Sequence, residues 1–267
     1  MTVCPYQSIV CVPKPCEDSC PTGAILKDES GKEIIDEEKC ILCGKCLKAC
    51  PFGAVAERSQ MIKVLQALKK GEQIVALVAP SITGQFPGTM EQLFNALMQV
   101  GFDSIMEVAI GAEKTAIEET NEFKERMENG EQFMTSSCCP AYVFAVKKHI
   151  TKLQPFVSET PSPMIFTGKI TKEKNPLAKT VFIGPCLAKR KEAFDSEYID
   201  YTLTYEELGA MLVAKNIDVA ECEPIELPES PSKEARLFAV SGGVAGAVGT
   251  CVNSKIEFKP CIINGYN

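Results

Sequence analysis

One run of residues limits what this chain can fold around: Cys40-x-x-Cys43-x-x-Cys46-x-x-x-Cys50-Pro51. Three closely spaced thiolates can grip one iron–sulfur cubane, while a fourth beyond them reaches a neighbouring cluster. The proline turns the chain away after the last ligand, and Gly53 lets backbone approach the inorganic sulfurs. A looser copy comes first: Cys16-Glu17-Asp18-Ser19-Cys20-Pro21-Thr22-Gly23-Ala24-Ile25 is echoed by Cys46-Leu47-Lys48-Ala49-Cys50-Pro51-Phe52-Gly53-Ala54-Val55. Under the crossed pattern, Cys40, Cys43 and Cys46 share one 4Fe–4S cluster with Cys20. Cys50, Cys16, Cys11 and Cys4 then hold the other. Without Cys4, which sits near the terminus, that second cluster is incomplete or draws a ligand from ahead of Met1.

This run resembles that of bacterial ferredoxins, and the rest of the composition agrees with a metal role for the thiols. The chain has fourteen cysteines but a single histidine, His149, so mixed Cys/His zinc sites are disfavoured and soft thiolate ligation to iron is favoured. A net charge of −7 argues against nucleic acid or an anionic membrane as partner. No stretch is long and apolar enough to span a bilayer, and no charged-then-apolar leader opens the sequence. The expected location is the cytoplasm.

Beyond about residue 60 the pattern changes. A helix over 61–70, with Ile62, Leu65 and Leu68 at helical spacing, links a small ferredoxin-like α+β domain (1–60) to a larger one (61–267). Short apolar runs at 74–79, 105–108, 180–183 and 237–240 read as buried strands, and 132–135 as another. Segments 90–100, 113–127, 142–149 and 205–214 read as helices, the last with a Thr204/Glu207 capping box. Strands alternating with helices predict an α/β domain whose parallel sheet is flanked by helices, with ligands beyond the carboxyl ends of its strands. Two cysteine loops fall there: Thr135-Ser136-Ser137-Cys138-Cys139-Pro140, and Gly184-Pro185-Cys186-Leu187-Ala188-Lys189-Arg190-Lys191-Glu192. Ser241-Gly242-Gly243-Val244 is placed likewise and is expected to open a helix.

Glu119, Glu122 and Arg126 lie a turn apart on one helix face, where spacing alone reads as a solvated charge stripe. Lys189 and Glu192, also one turn apart, read alone as a surface ion pair. Cys222, Cys251 and Cys261 match no ligand spacing and read as ordinary thiols.

Taken together, the two cysteine loops and the iron–sulfur segment resemble the catalytic part of the FeFe (iron-only) hydrogenases. The first family signature, Thr-Ser-Cys-Cys-Pro, appears with a serine doubled; the second, Pro-Cys-x-x-Lys-x-x-Glu, is intact; the third, a Cys-x-x-x-Cys backed by glycines, is absent. The resemblance implies reversible reduction of protons to dihydrogen, with electrons from ferredoxin or a similar carrier passing through the N-terminal clusters. It implies Cys139 and Cys186 as ligands of the H-cluster, a 4Fe–4S cubane joined to a diiron unit. It further implies Cys138, Glu119, Ser158, Glu122 and Arg126 as a proton relay, and Lys189 as donor to a cyanide of the diiron unit. With no third motif, the chain is expected to break off in mid-domain, to hold no complete H-cluster and to be inactive as it stands. The rival is a non-catalytic iron–sulfur protein of the same fold, in electron transfer, cluster assembly or redox sensing.

Overall fold

A computed structural model describes residues 14–252 and 257–265. The first elements are short: α1 (Pro15–Asp18), β1 (Ile25–Lys27), β2 (Glu33–Ile35) and α2 (Lys45–Ala49). β1 and β2 pair antiparallel, with Ile25 opposite Ile35 and Lys27 opposite Glu33. The Asp28 carboxylate closes their turn by accepting from the N–H groups of Ser30 and Lys32.

The larger unit begins with α3 (Met61–Lys69), β3 (Ile74–Val78), α4 (Met90–Val100), β4 (Ser104–Glu107) and α5 (Val108–Glu128). It continues through α6 (Pro140–His149), α7 (Pro163–Lys174), β5 (Lys179–Ile183), α8 (Ala188–Phe194), β6 (Tyr201–Leu203) and α9 (Tyr205–Ala214). It ends with α10 (Lys233–Arg236) and α11 (Gly243–Cys251). The four long-range strands form one parallel sheet in the order β4-β3-β5-β6. Helices cover both faces, because the strand period of two sends alternate side chains to opposite sides. Ile74, Ala76 and Val78 of β3 and Val181 and Ile183 of β5 pack with α3, α4 and α9. Val75, Leu77 and Phe182 face the other way, toward Val108 of α5 and Met164 of α7. The connection after β3 leads to β4 on one side, and that after the adjacent β5 leads to β6 on the other. A crevice opens at the carboxyl ends of such a pair.

Helices α5 and α7 cross closely under the sheet. A Cβ on Gly111 would lie 2.2 Å from the Pro163 carbonyl oxygen and 2.3 Å from Thr167 Oγ1, so only glycine permits this approach. The capping box at Thr204 forms as expected, Thr204 N–H donating to Glu207 and Glu207 N–H to Thr204 Oγ1.

Two expected strands are absent. Residues 237–240 extend α10 as a single turn of 3-10 helix, with Leu237 and Val240 exposed and no strand beside them. A short apolar run cannot by itself distinguish strand from helix. At 132–135 only Thr135 pairs, in one parallel bridge with Val157. The helix at Gly243 does form, but it follows that turn and not a strand. Among the described residues no helix is long and apolar enough to cross a membrane.

Candidate functional site

The N-terminal thiols are arranged by loops that turn backbone N–H groups toward sulfur. Ala24 N–H donates to Cys20 Sγ at 3.2 Å, Leu42 N–H to Cys40 Sγ at 3.4 Å, and Ala54 N–H to Cys50 Sγ at 3.3 Å. Positive φ at Gly23, Leu42 and Gly53 makes these reversals possible. The effect on the thiols is visible. Burial raises Cys20, but the surrounding N–H groups outweigh it and leave the thiol below its ordinary range. At Cys50 the N–H groups of Phe52, Val55 and Ala54 lower it outright. Cys46 is pushed up, first by burial and then by the charges of Cys40, Cys43 and Cys20. Those four are the set expected from the crossed pattern, and they lie within electrostatic reach of one another.

Among the described residues no three His, Cys, Asp or Glu converge on a single-ion position. A cubane spreads its thiolates more widely than one ion does, and the donor set here, soft sulfurs ringed by N–H groups, suits it. Of the second set, Cys16 and Cys50 are free and partly exposed, and Cys4 and Cys11 lie outside the described residues.

The second centre sits at the sheet's crevice. Cys186 follows β5, and Cys139 caps the start of α6. Burial raises the Cys186 thiol, the Lys189 N–H and ammonium oppose that, and Cys139 adds to it, so the two thiols share a neighbourhood. The Lys189 ammonium is 2.7 Å from Glu192 in a mostly covered ion pair. The sulfur of half-buried Cys138 is crowded by protein; burial drives its thiol well above the ordinary range, Glu119 reinforces this and Lys189 opposes it. It stays protonated and able to donate.

Behind Cys138 the carboxylates of α5 are not a solvated stripe. Glu119 is 1% exposed and accepts only a long bond, 3.4 Å, from Ser137 N–H; its Oε2 has no partner among the described residues. Burial lifts its acid constant to about 7, eased by Ser137 and reinforced by the charge of Glu122. Glu122 goes the other way. Burial would raise it, but Ser158 Oγ at 2.5 Å, Glu159 N–H at 3.0 Å, Thr160 Oγ1 at 2.9 Å and Arg126 together hold it below the ordinary carboxylate range. Arg126 is fixed in turn by the carbonyl oxygens of Pro155 and Val157. One carboxyl poised to give and take protons thus lies beside one held ionised, the separation by which acid and base roles are told apart.

Sequence reasoning missed two members of this cluster. Ser137 Oγ donates to the Thr160 carbonyl at 2.5 Å, and Thr160 Oγ1 donates to Glu122, so the two residues join the cysteine loop to the carboxylates. The doubled serine in the first cysteine loop was the available signal. A cavity of about 580 Å³ opens beside them, lined in part by Ser137, Pro140, Phe144, Thr160, Ser162 and Glu192. Arg190 was missed as well. It lies between Glu57 at 3.1 Å and Glu207 at 2.6 Å, and ties α8 to the chain leading out of the N-terminal segment.

Residues 72–262 match the family model described as "Iron only hydrogenase large subunit, C-terminal domain", and residues 9–54 that of a "4Fe-4S dicluster domain". The chain belongs to the iron-only hydrogenase family. It is 29% identical over 301 residues to iron hydrogenase 1 of Clostridium pasteurianum, across 86% of this chain and 52% of that protein. A probable cytosolic Fe–S cluster assembly factor of Drosophila grimshawi is 27% identical over 273 residues, 84% of this chain and 57% of the other. The apo FeFe-hydrogenase of Chlamydomonas reinhardtii, in a variant form, superposes with a TM-score of 0.59 at 27% identity, covering 70% of this chain and 57% of that one. The chain therefore spans about half the length of the curated relatives it matches.

An H-cluster does not fit the thiols present here. Cys139 and Cys186 are two sulfurs where the cubane of such a cluster takes four. Cys251 is exposed at the end of α11, beside Lys124, and Cys261 is also exposed. Neither is among the groups that act on Cys186.

Proposed function

We propose that this protein is an iron–sulfur oxidoreductase of the FeFe-hydrogenase type, the type that reversibly reduces protons to dihydrogen with electrons from ferredoxin or a similar carrier, and that with only Cys139 and Cys186 at the catalytic centre the chain is inactive by itself. The observation that carries this reading is the set of buried groups behind the cysteine loop: the Cys138 thiol, the Glu119 carboxyl near neutrality, and beside it the Glu122 carboxylate held ionised by Ser158 and Arg126. A protein that only stores or passes electrons has no use for such a set. On this reading residues 1–60 form the electron-entry domain with two 4Fe–4S clusters, held by Cys20/Cys40/Cys43/Cys46 and by Cys50/Cys16/Cys11/Cys4. Residues 61–267 form part of the catalytic domain, and the protein works in the cytoplasm. Cys139 and Cys186 offer two of the ligands of the catalytic metal centre, and Lys189 faces it as a hydrogen-bond donor.

A second reading rests on the two-thiol set and on the likeness to a cluster assembly factor: a non-catalytic member of the family acting in electron transfer or cluster assembly. The test is hydrogen evolution from a reduced carrier by protein produced alongside hydrogenase maturation proteins. For this chain the first reading predicts neither carbon monoxide and cyanide infrared bands nor turnover, but a Glu119 carboxyl that exchanges its proton near neutrality. Bands with turnover would overturn the two-thiol account, and a Glu119 that titrates in the ordinary carboxylate range would support the second reading.

A further inference from the structure

Helix α6 connects the two metal-binding regions. It begins at Pro140, directly after Cys139, and ends at His149. Ten residues of helix span about 15 Å. At its far end the Lys148 ammonium donates to the carbonyl oxygens of Glu37 and Cys40, both at 2.7 Å. His149 Nε2 lies 2.8 Å from the carbonyl oxygen of Lys39. The helix thus grips the chain at the first thiol of the Cys40–Cys43–Cys46 run. A second tie runs alongside. Gly44, at φ +75°, brings the same run so close to the Cys186 loop that a Cβ there would lie 2.8 Å from Leu187 Cδ1. Both crevice loops are therefore adjacent to the Cys40–Cys43–Cys46 run.

Lys148 differs from Lys39 in what it touches. Lys39 is paired with Asp36. Among the described residues no carboxylate lies within ion-pair distance of Lys148; its partners are two neutral carbonyls, and its ammonium stands 5.6 Å from the Phe144 ring centroid. A positive charge on an exposed side chain, held by two carbonyls, thus sits against the backbone of a proposed cluster ligand.

Reduction of a cubane adds one electron and no proton, so the reduced form carries one more negative charge, and a neighbouring cation stabilises it. We propose that Lys148 raises the reduction potential of the cluster held by Cys20, Cys40, Cys43 and Cys46, the set whose Cys40–Cys46 run abuts the crevice loops. Lys148 is a positioning residue in this scheme: it touches the ligand's backbone and not the reacting centre. The inference rests on the ligand assignment proposed above.

The experiment is a redox titration of the whole chain with its clusters reconstituted, followed by electron paramagnetic resonance. Lys148→Gln should move the midpoint of one cluster to a more negative value and leave the other in place. Lys148→Arg, which keeps the charge and the donors, should restore the wild-type midpoint. Unchanged midpoints in Lys148→Gln, or an equal shift of both clusters, would overturn the proposal. So would a loss of iron confined to Lys148→Gln, because the lysine would then be holding the fold. Cys20→Ser should remove the same signal that Lys148→Gln moves; removal of the other signal would instead refute the ligand assignment, and the inference with it.

Discussion

Glu119 and Glu122 sit one turn apart on α5, yet their surroundings drive the two carboxyl groups in opposite directions, Glu119 up to about 7 and Glu122 below its ordinary value. The cause is local. Glu119 faces the interior with one long hydrogen bond and one empty oxygen, whereas Glu122 collects two hydroxyls, an N–H and a guanidinium.

The first consequence is a pH-dependent cost. Between the ordinary value of 4.5 and about 7, folded protein keeps a proton on Glu119 that the unfolded chain has lost, so stability falls as pH rises through that window. Relative to Glu119→Gln, wild-type protein should lose roughly 2–3 kcal/mol between pH 4.5 and pH 8. Denaturant unfolding of both proteins at several pH values measures this, and parallel curves would contradict it.

Glu122 gives the opposite sign. Its folded value is depressed, so its contribution is complete above pH 4.5 and is lost as the pH falls through the folded value. Ser158→Ala removes the shortest of its bonds and should cost about 1.5 kcal/mol at pH 7. That difference should shrink in acid as Glu122 protonates, and a cost that is the same at low pH would count against the bond.

Much of this was legible in the sequence, for identifiable reasons. The parallel sheet follows from apolar runs such as 74–78, in which every residue is buried. The thiol spacing follows from the geometry of the clusters, and Cys20, Cys40 and Cys43 lie near enough to Cys46 to act on it electrostatically. Strand β6 escaped notice because Tyr-Thr-Leu is three residues long, and α7 because its face carries threonines, Thr167 and Thr171, that bond back to their own helix. Spacing favoured a solvated stripe for Glu119, since periodicity reports which residues share a face and says nothing of what covers it. Thr160 carried no signal; its role arises from a loop that folds back over α5.

Arg190 is the strut between the two regions. Arg190→Met breaks its pairs with Glu57 and Glu207 and leaves Glu207, whose Oε1 is already unpartnered, as a buried charge. Stability should drop by about 3 kcal/mol, and cleavage near residues 55–60 in limited proteolysis should accelerate well beyond what that loss predicts for the sheet. Unchanged cleavage would show that other contacts suffice.

The cluster assignment has its own count. Reconstituted protein should carry about eight irons, and Cys20→Ser or Cys43→Ser about four, because each removes a ligand from the same cubane. A wild-type value near four would mean that the Cys16/Cys50 set does not assemble.

The central claim is that Glu119 is a buried carboxyl exchanging its proton near neutrality beside Cys138. Infrared difference spectroscopy across a pH titration tests it directly, by following the protonated carboxyl stretch and assigning it with Glu119→Gln. The account predicts a band that disappears with a midpoint near pH 7 and is missing in the variant. A band assigned to Glu119 that is lost near 4.5, in the ordinary carboxylate range, would contradict it.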